Sequence, residues 1–131
     1  MTTYDEIFTE FLVITKTEPV NVPTEQDKIY DVIHSAVRHY NNRMRTKVMC
    51  DDLTETISEE LDDDELIIIA NFLKLAFLEN QLIYFTTLWQ PFAQDIGLRN
   101  YQAQIKSMEY LIKRQEDKLD QIINRIQTDY L

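Results

Sequence analysis

A single glycine, Gly97, and three prolines, Pro19, Pro23 and Pro91, are all that 131 residues supply of the two strongest turn formers. A sandwich or barrel needs such residues at every short hairpin, so an all-β architecture is excluded. The length supports one core and one domain, residues 1–131. With 44% hydrophobic and 27% charged residues, the composition is that of a globular chain and fits neither wholesale disorder nor a membrane protein.

Helical patterning fills most of the chain. Thr3-Tyr4-Asp5-Glu6 has the form of a capping box, followed by Ile7, Phe8, Phe11 and Leu12, which predicts a first helix from about Tyr4 to Val13. Thr15 to Pro23 holds two prolines and reads as a loop. Ile29, Val32, Ile33, Ala36, Val37 and Tyr40 then recur on one helical face, predicting a second helix from about Glu25 to Tyr40, with room to reach Met44. Arg43 to Ser58 has no sustained period and reads as a long connection with space for a short extended piece at Lys47-Val48-Met49.

A third helix is predicted from an Asp62 cap, with Glu65 three residues on. From Leu66 to Phe77 it is apolar on nearly every side, which suits the centre of a bundle. Leu66, Ile69, Phe72, Leu73, Ala76 and Phe77 are the expected core. Asn71, Lys74, Glu79, Asn80 and Gln81 interrupt the apolar stretch from Leu66 to Leu88 and make it too polar for a lipid-exposed span. Pro91 and Gly97 mark a connector from Gln90 to Leu98.

The fourth helix, from about Arg99 to Tyr130, is the longest. Ile105, Met108, Ile112, Leu119, Ile122 and Ile126 form a heptad seam in which Gln115 fills the missing position. Its length, on the order of 45 Å at 1.5 Å per residue, exceeds what a small bundle covers, so part of it is expected to reach a partner. The fold class is therefore all-α, a bundle of about four helices with a long C-terminal helix.

The charge is localised. Net charge is −10, yet nine of the 23 acids lie between Asp51 and Glu65 with no Lys or Arg among them, leaving 14 acids against 13 bases elsewhere. A basic nucleic-acid footprint is absent. Two readings of the acidic run stay open: a solvated loop that also places anions at the positive end of the next helix, and a surface that repels DNA or attracts a basic partner.

No constellation for catalysis or ligand binding stands out. His34 and His39 are about 140° apart around their helix and cannot chelate one metal together. The acidic run has no glycine for a calcium loop. There is no phosphate-cradling glycine loop, nucleophile elbow or metalloprotease helix. Cys50, the one cysteine, has Asp51 and Asp52 beside it, which should raise its pKa and weaken it as a nucleophile. Phe72, Phe77, Tyr84, Phe85, Trp89 and Phe92 have helical spacing and read as core or interface packing. The sequence predicts no enzyme, no cofactor and no metal. The first residues carry no signal peptide, which places synthesis in the cytoplasm.

Three stretches resemble the small all-helical head-tail connector (adaptor) proteins of tailed bacteriophages. Thr3-Tyr4-Asp5-Glu6-Ile7-Phe8-Thr9-Glu10-Phe11-Leu12 is similar to the family's first helix. Leu61-Asp62-Asp63-Asp64-Glu65-Leu66-Ile67-Ile68-Ile69-Ala70, with Phe77-Leu78-Glu79-Asn80-Gln81 further on, resembles its acidic cap and its central helix ending in an aromatic-Leu-x-x-Gln pattern. Tyr101-Gln102-Ala103 with Ile105-Lys106 resembles the segment leading into its long terminal helix, although the family's Ser is missing and Gly97-Leu98 replaces the usual acidic-aromatic-Lys lead-in.

The resemblance implies a structural virion protein of the neck, forming a ring under the portal, commonly of twelve copies, and continuing the DNA channel towards the tail. Its implied partners are the portal protein, a tail or stopper protein and neighbouring copies, with packaged DNA passing through unbound and no membrane involved. On this reading Asp62, Asp63, Asp64 and Glu65 are candidate channel-facing acids. Arg114, Lys118, Ile122, Arg125 and Ile126 are candidate portal or subunit contacts. The alternative is an acidic regulatory or inhibitory module that mimics nucleic acid and occupies a basic protein.

Overall fold

The computed structural model describes residues 2–15, 26–89 and 98–129. They form four helices and one small hairpin: α1 (Tyr4–Thr15), α2 (Gln26–Met44), β1 (Cys50–Asp51), β2 (Thr56–Ile57), α3 (Asp63–Trp89) and α4 (Leu98–Asp129). The fold is all-α, as the sequence predicts. The expected loop over 16–23 and the connector over 90–97 lie outside the described residues.

α3 is the central element, and α1, α2 and α4 each pack on it. Ile68, Ile69, Phe72, Leu73, Ala76 and Phe77 of α3 meet Ile7 and Phe11 of α1, Ile33, Ala36, Val37 and Tyr40 of α2, and Leu119 and Ile123 of α4. By length and composition Asp63–Ile83 would also suffice to cross a membrane. Its placement among three helices, with the buried Asn71 hydrogen-bonded inside, makes it the core helix. Phe11 and Phe77 meet edge to face, centroids 5.6 Å apart at 67°, tying α1 to α3.

α3 and α4 run antiparallel without slip. Gln115 meets Asn71, and fourteen residues back along α4 Tyr101 stacks on Phe85, fourteen residues forward along α3. Gln115, the polar gap in the predicted seam, is buried and donates from Nε2 to the Asn71 backbone oxygen (3.0 Å) and to Asn71 Oδ1 (3.1 Å). Asn71 in turn donates to the Ile67 carbonyl (2.8 Å). Ile112, Ile122 and Ile126 are half-buried against the core as the heptad predicts. Ile123, which the strict heptad omits, is fully buried, because a straight helix drifts off a seven-residue repeat and brings the position after Ile122 inward.

Beyond Phe77 on α3 and before Ile112 on α4, none of the described side chains belongs to the main core. There the two helices continue together, holding to each other through contacts such as Phe85 on Tyr101. The reach expected of a lone C-terminal helix is thus made by a two-helix arm, because α3 is nearly as long as α4.

The connection after α2 corrects the sequence reading. Met44 ends α2, Arg45 takes φ 59° and Thr46 N–H donates to the Asn41 carbonyl (3.1 Å), the pattern of a helix stop that usually employs glycine. The extended pair is not at Lys47-Val48-Met49 but three residues further on. The Asn41 side chain holds 46–48 instead, accepting from Thr46 Oγ1 and Val48 N–H and donating to the Val48 carbonyl. β1 and β2 pair antiparallel, Cys50 with Ile57 and Asp51 with Thr56. The N-terminus clasps this hairpin: Ile57 N–H donates to the Thr2 carbonyl (2.9 Å) and Tyr4 N–H to the Glu55 carbonyl (2.8 Å).

Candidate functional site

The acidic segment has two parts with different tasks. In the first, carboxylates take tyrosine hydroxyls from the helices beneath. Tyr4 donates to Asp52 Oδ1 (2.6 Å), Tyr30 to Glu55 Oε1 (2.8 Å) and Tyr40 to Glu65 Oε2 (3.2 Å). His34 Nε2 lies 2.7 Å from the same Asp52 oxygen; a carboxylate only accepts, so this nitrogen carries the proton. The hydrogen bonds from Tyr4 and His34 hold the Asp52 carboxyl below its usual range. Cys50 beside them has its thiol pKa raised, by burial first and by Asp52 further, against a lowering hydrogen bond from Tyr4; the two flanking acids expected to raise it are thus secondary to burial.

These pairs were not visible in the sequence. The partners are 18 to 48 residues apart, and nothing local marks a tyrosine as the donor to a distant acid. They also correct the picture of a uniformly solvated run, since Asp52, Glu55 and Glu65 are tied down.

Burial, then the nearby Glu65, raises the Tyr40 phenol well above its normal value, and burial, then Asp52, does the same to Tyr4. The unfolded phenols ionise near pH 10 while the folded ones do not. The stability this gives is therefore complete below about pH 10 and is lost as pH rises above it. Urea midpoints measured between pH 7 and 11 should fall steeply at the alkaline end, and Tyr4→Phe with Tyr40→Phe should flatten that fall. An equally steep fall in the double variant would refute the assignment.

The second part caps α3. Glu65 N–H donates to Asp62 Oδ1 (2.8 Å) and Asp62 N–H to Glu65 Oε1 (3.2 Å), a reciprocal capping box at the position the sequence indicates. Asp63 and Asp64 occupy the first turn and are exposed. Of the four candidate channel-facing acids, Asp62 and Glu65 therefore form the cap, and Asp63 and Asp64 are exposed beside it.

The candidate contacts on α4 separate in the same way. Ile122 and Ile126 pack against the core, whereas Arg114, Lys118 and Arg125 are exposed. Lys74 of α3 lies near Arg114 and Lys118; burial, then those two charges, lower its pKa. On the other flank Arg43 of α2 pairs with Asp120 (2.6 Å) across an open groove of about 510 Å³ floored by Phe72, Leu75 and Leu119. His39 stacks on Phe72 there, far from His34 in role and partner. Among the described residues no three His, Cys, Asp or Glu gather as a metal site.

Among the described residues, large apolar side chains stand in solvent on the arm, on the hairpin and on α1. On the arm Ile83 is 61%, Tyr110 65% and Leu111 44% exposed; at the hairpin tip Leu53 is 97% exposed, at its open end Met49 is 71%, and on α1 Val13 is 63%. The tip is held by its anchors: Asp51 accepts from Leu53 N–H (3.0 Å), Glu55 adopts φ 53°, and Asp52 is fixed to α1 and α2.

The structure thus defines an all-α protein with an apolar central helix, an anchored hairpin and a projecting two-helix arm. Residues 1–127 match the family model described as YomZ prophage protein. The SPbeta prophage-derived protein YomZ of Bacillus subtilis (strain 168) is 38% identical over 131 residues, the full length of both chains. The chain belongs to the YomZ family of prophage proteins and is of phage origin. No solved structure matches it.

Proposed function

We propose that this protein is a structural component of the phage particle, a head-tail connector that forms a ring beneath the portal and continues the DNA channel to the tail. The observation that carries the reading is the α3–α4 arm, which takes Ile83, Tyr110 and Leu111 away from the core and leaves them exposed. Phage origin supports it, as does the resemblance of the first helix, the acidic cap and the terminal helix to connector proteins. Portal, stopper and neighbouring copies are the partners of this reading, the virion neck is its location, and it requires neither catalysis nor a cofactor. Asp64, next to Asp63 in the exposed first turn, would then keep DNA from adhering by like-charge repulsion if α3 begins at the lumen.

A nucleic-acid mimic is the weaker reading. Such a surface needs its carboxylates turned outward, and here Asp52, Glu55 and Glu65 are engaged by Tyr4, Tyr30 and Tyr40.

The arm provides the test. Ile83→Lys with Leu111→Lys changes exposed residues, so the thermal midpoint should move little, by about 0.5 kcal/mol or less in stability per site. Co-assembly with the phage's portal protein, followed by sedimentation, should be lost. Unimpaired co-assembly of the double variant would remove the arm from the contact.

A further inference from the structure

The cations of α4 are unevenly distributed. Lys113 has Glu109 and Glu116 within one turn, and Asp120 pairs with Arg43. On the opposite flank Leu111, Arg114, Lys118, Gln121 and Arg125 follow one another at helical spacing with no acid among them. Lys74 adds a fourth cation from α3, one turn beyond Asn71, beside the point where Gln115 joins the helices. Lys74, Arg114 and Lys118 make no ion pair among the described residues. Arg114 and Lys118 are four apart on one helix, a spacing at which like charges destabilise. Lys74 is half-buried and bears the cost of both neighbours. At the facing positions three and four residues from Lys74, Arg114 and Lys118 there is a single acid, Asp117, three residues from Arg114.

The exposed acids that would complement this face lie at the other end of the same helix. Asp63 precedes Lys74 by eleven residues, which returns it to the same side of α3 but about 16 Å away at 1.5 Å per residue. A rigid helix cannot fold back across that distance, so Asp63 cannot reach this face of its own chain. A second copy displaced along the α3 axis can supply it.

We propose that the face formed by Lys74, Arg114 and Lys118 docks the acidic start of α3 of a second copy, through Asp63 and the neighbouring Glu60. The contact is head to tail, which closes into a ring when the rotation between copies allows it. It rests on the assembly reading above and names the contact between its copies. A homotypic partner is favoured over DNA because this chain presents the needed carboxylates itself and its net charge of −10 opposes a polyanion.

The test uses the full chain in two reversed forms, Arg114→Glu/Lys118→Glu and Glu60→Lys/Asp63→Lys, with circular dichroism to establish that each is folded. Light scattering on a sizing column at low salt should show self-association in the unmodified protein. In each reversed form it should be weaker by about tenfold or more in dissociation constant. Mixing the two forms should restore it, because each then meets an opposite charge. Unchanged association in the reversed forms would overturn the proposal. So would loss without restoration on mixing, because the two charged faces would then not be each other's partners. A portal complex that forms equally well with Arg114→Glu/Lys118→Glu would leave the connector reading standing while this contact falls. Absence of self-association and of a portal complex in the unmodified protein would overturn both.

Discussion

Replacing Phe11 by alanine will cost the protein about 3–5 kcal/mol of folding stability. The side chain is 1% exposed, meets Phe8 at 5.5 Å and Phe77 at 5.6 Å, and sits where α1 closes over α3. Removing the ring leaves a void that surrounding aromatics cannot fill without moving the helix, and the edge-to-face pairing is lost with it. Domains of this size are stable by about 5–15 kcal/mol, so the variant should unfold at a much lower urea concentration, with an unchanged slope. A loss below about 1 kcal/mol would mean that α1 is not part of the cooperative core. The hairpin should loosen with it, since Thr2, Tyr4 and the Thr3–Thr56 bridge connect the N-terminus to β2.

Gln115→Leu should be costly in a different way. The leucine fits the apolar seam, but Asn71 Oδ1 loses its donor while remaining 2% exposed at the residue level. A buried acceptor left without a partner costs about 1–3 kcal/mol, and the lost bond to the Asn71 carbonyl adds to it. Asn71→Leu combined with Gln115→Leu removes both partners and should recover most of that loss. If the single change were neutral, the pair would carry no energy. If the double variant were as unstable as the single, the loss would come from packing. The polar pair also fixes register: an all-apolar seam would let α3 and α4 slide by a turn, which would displace the arm.

Much of this architecture is legible in the chain because its determinants are local. The capping box Asp62 to Glu65 lies within four residues, and the structure closes it in both directions. The gap at Gln115 stands out against the isoleucines around it. The Thr3 cap of α1 is equally local, its hydroxyl accepting from Glu6 N–H at 3.1 Å.

What the sequence hides is long-range or depends on slight geometry. The tyrosine–carboxylate pairs join positions as far apart as Tyr4 and Asp52, and an acidic run gives no sign of which of its members turn inward. The hairpin is displaced from its expected place because the Asn41 side chain captures the segment before it, a tertiary choice that β-propensity does not report. Ile123 was missed because a heptad is only approximately a helix period. The lengths of α3 and α4 are readable separately, but the arm exists only through their pairing.

The central claim is that this prophage protein works by assembly, and its mass in solution tests that most directly. Light scattering on a sizing column, with the protein alone and then mixed with the phage's portal protein, should give a discrete ring-sized complex in the mixture. A monomer in both runs would contradict the account and leave the acidic segment, with a basic protein as its partner, as the better explanation.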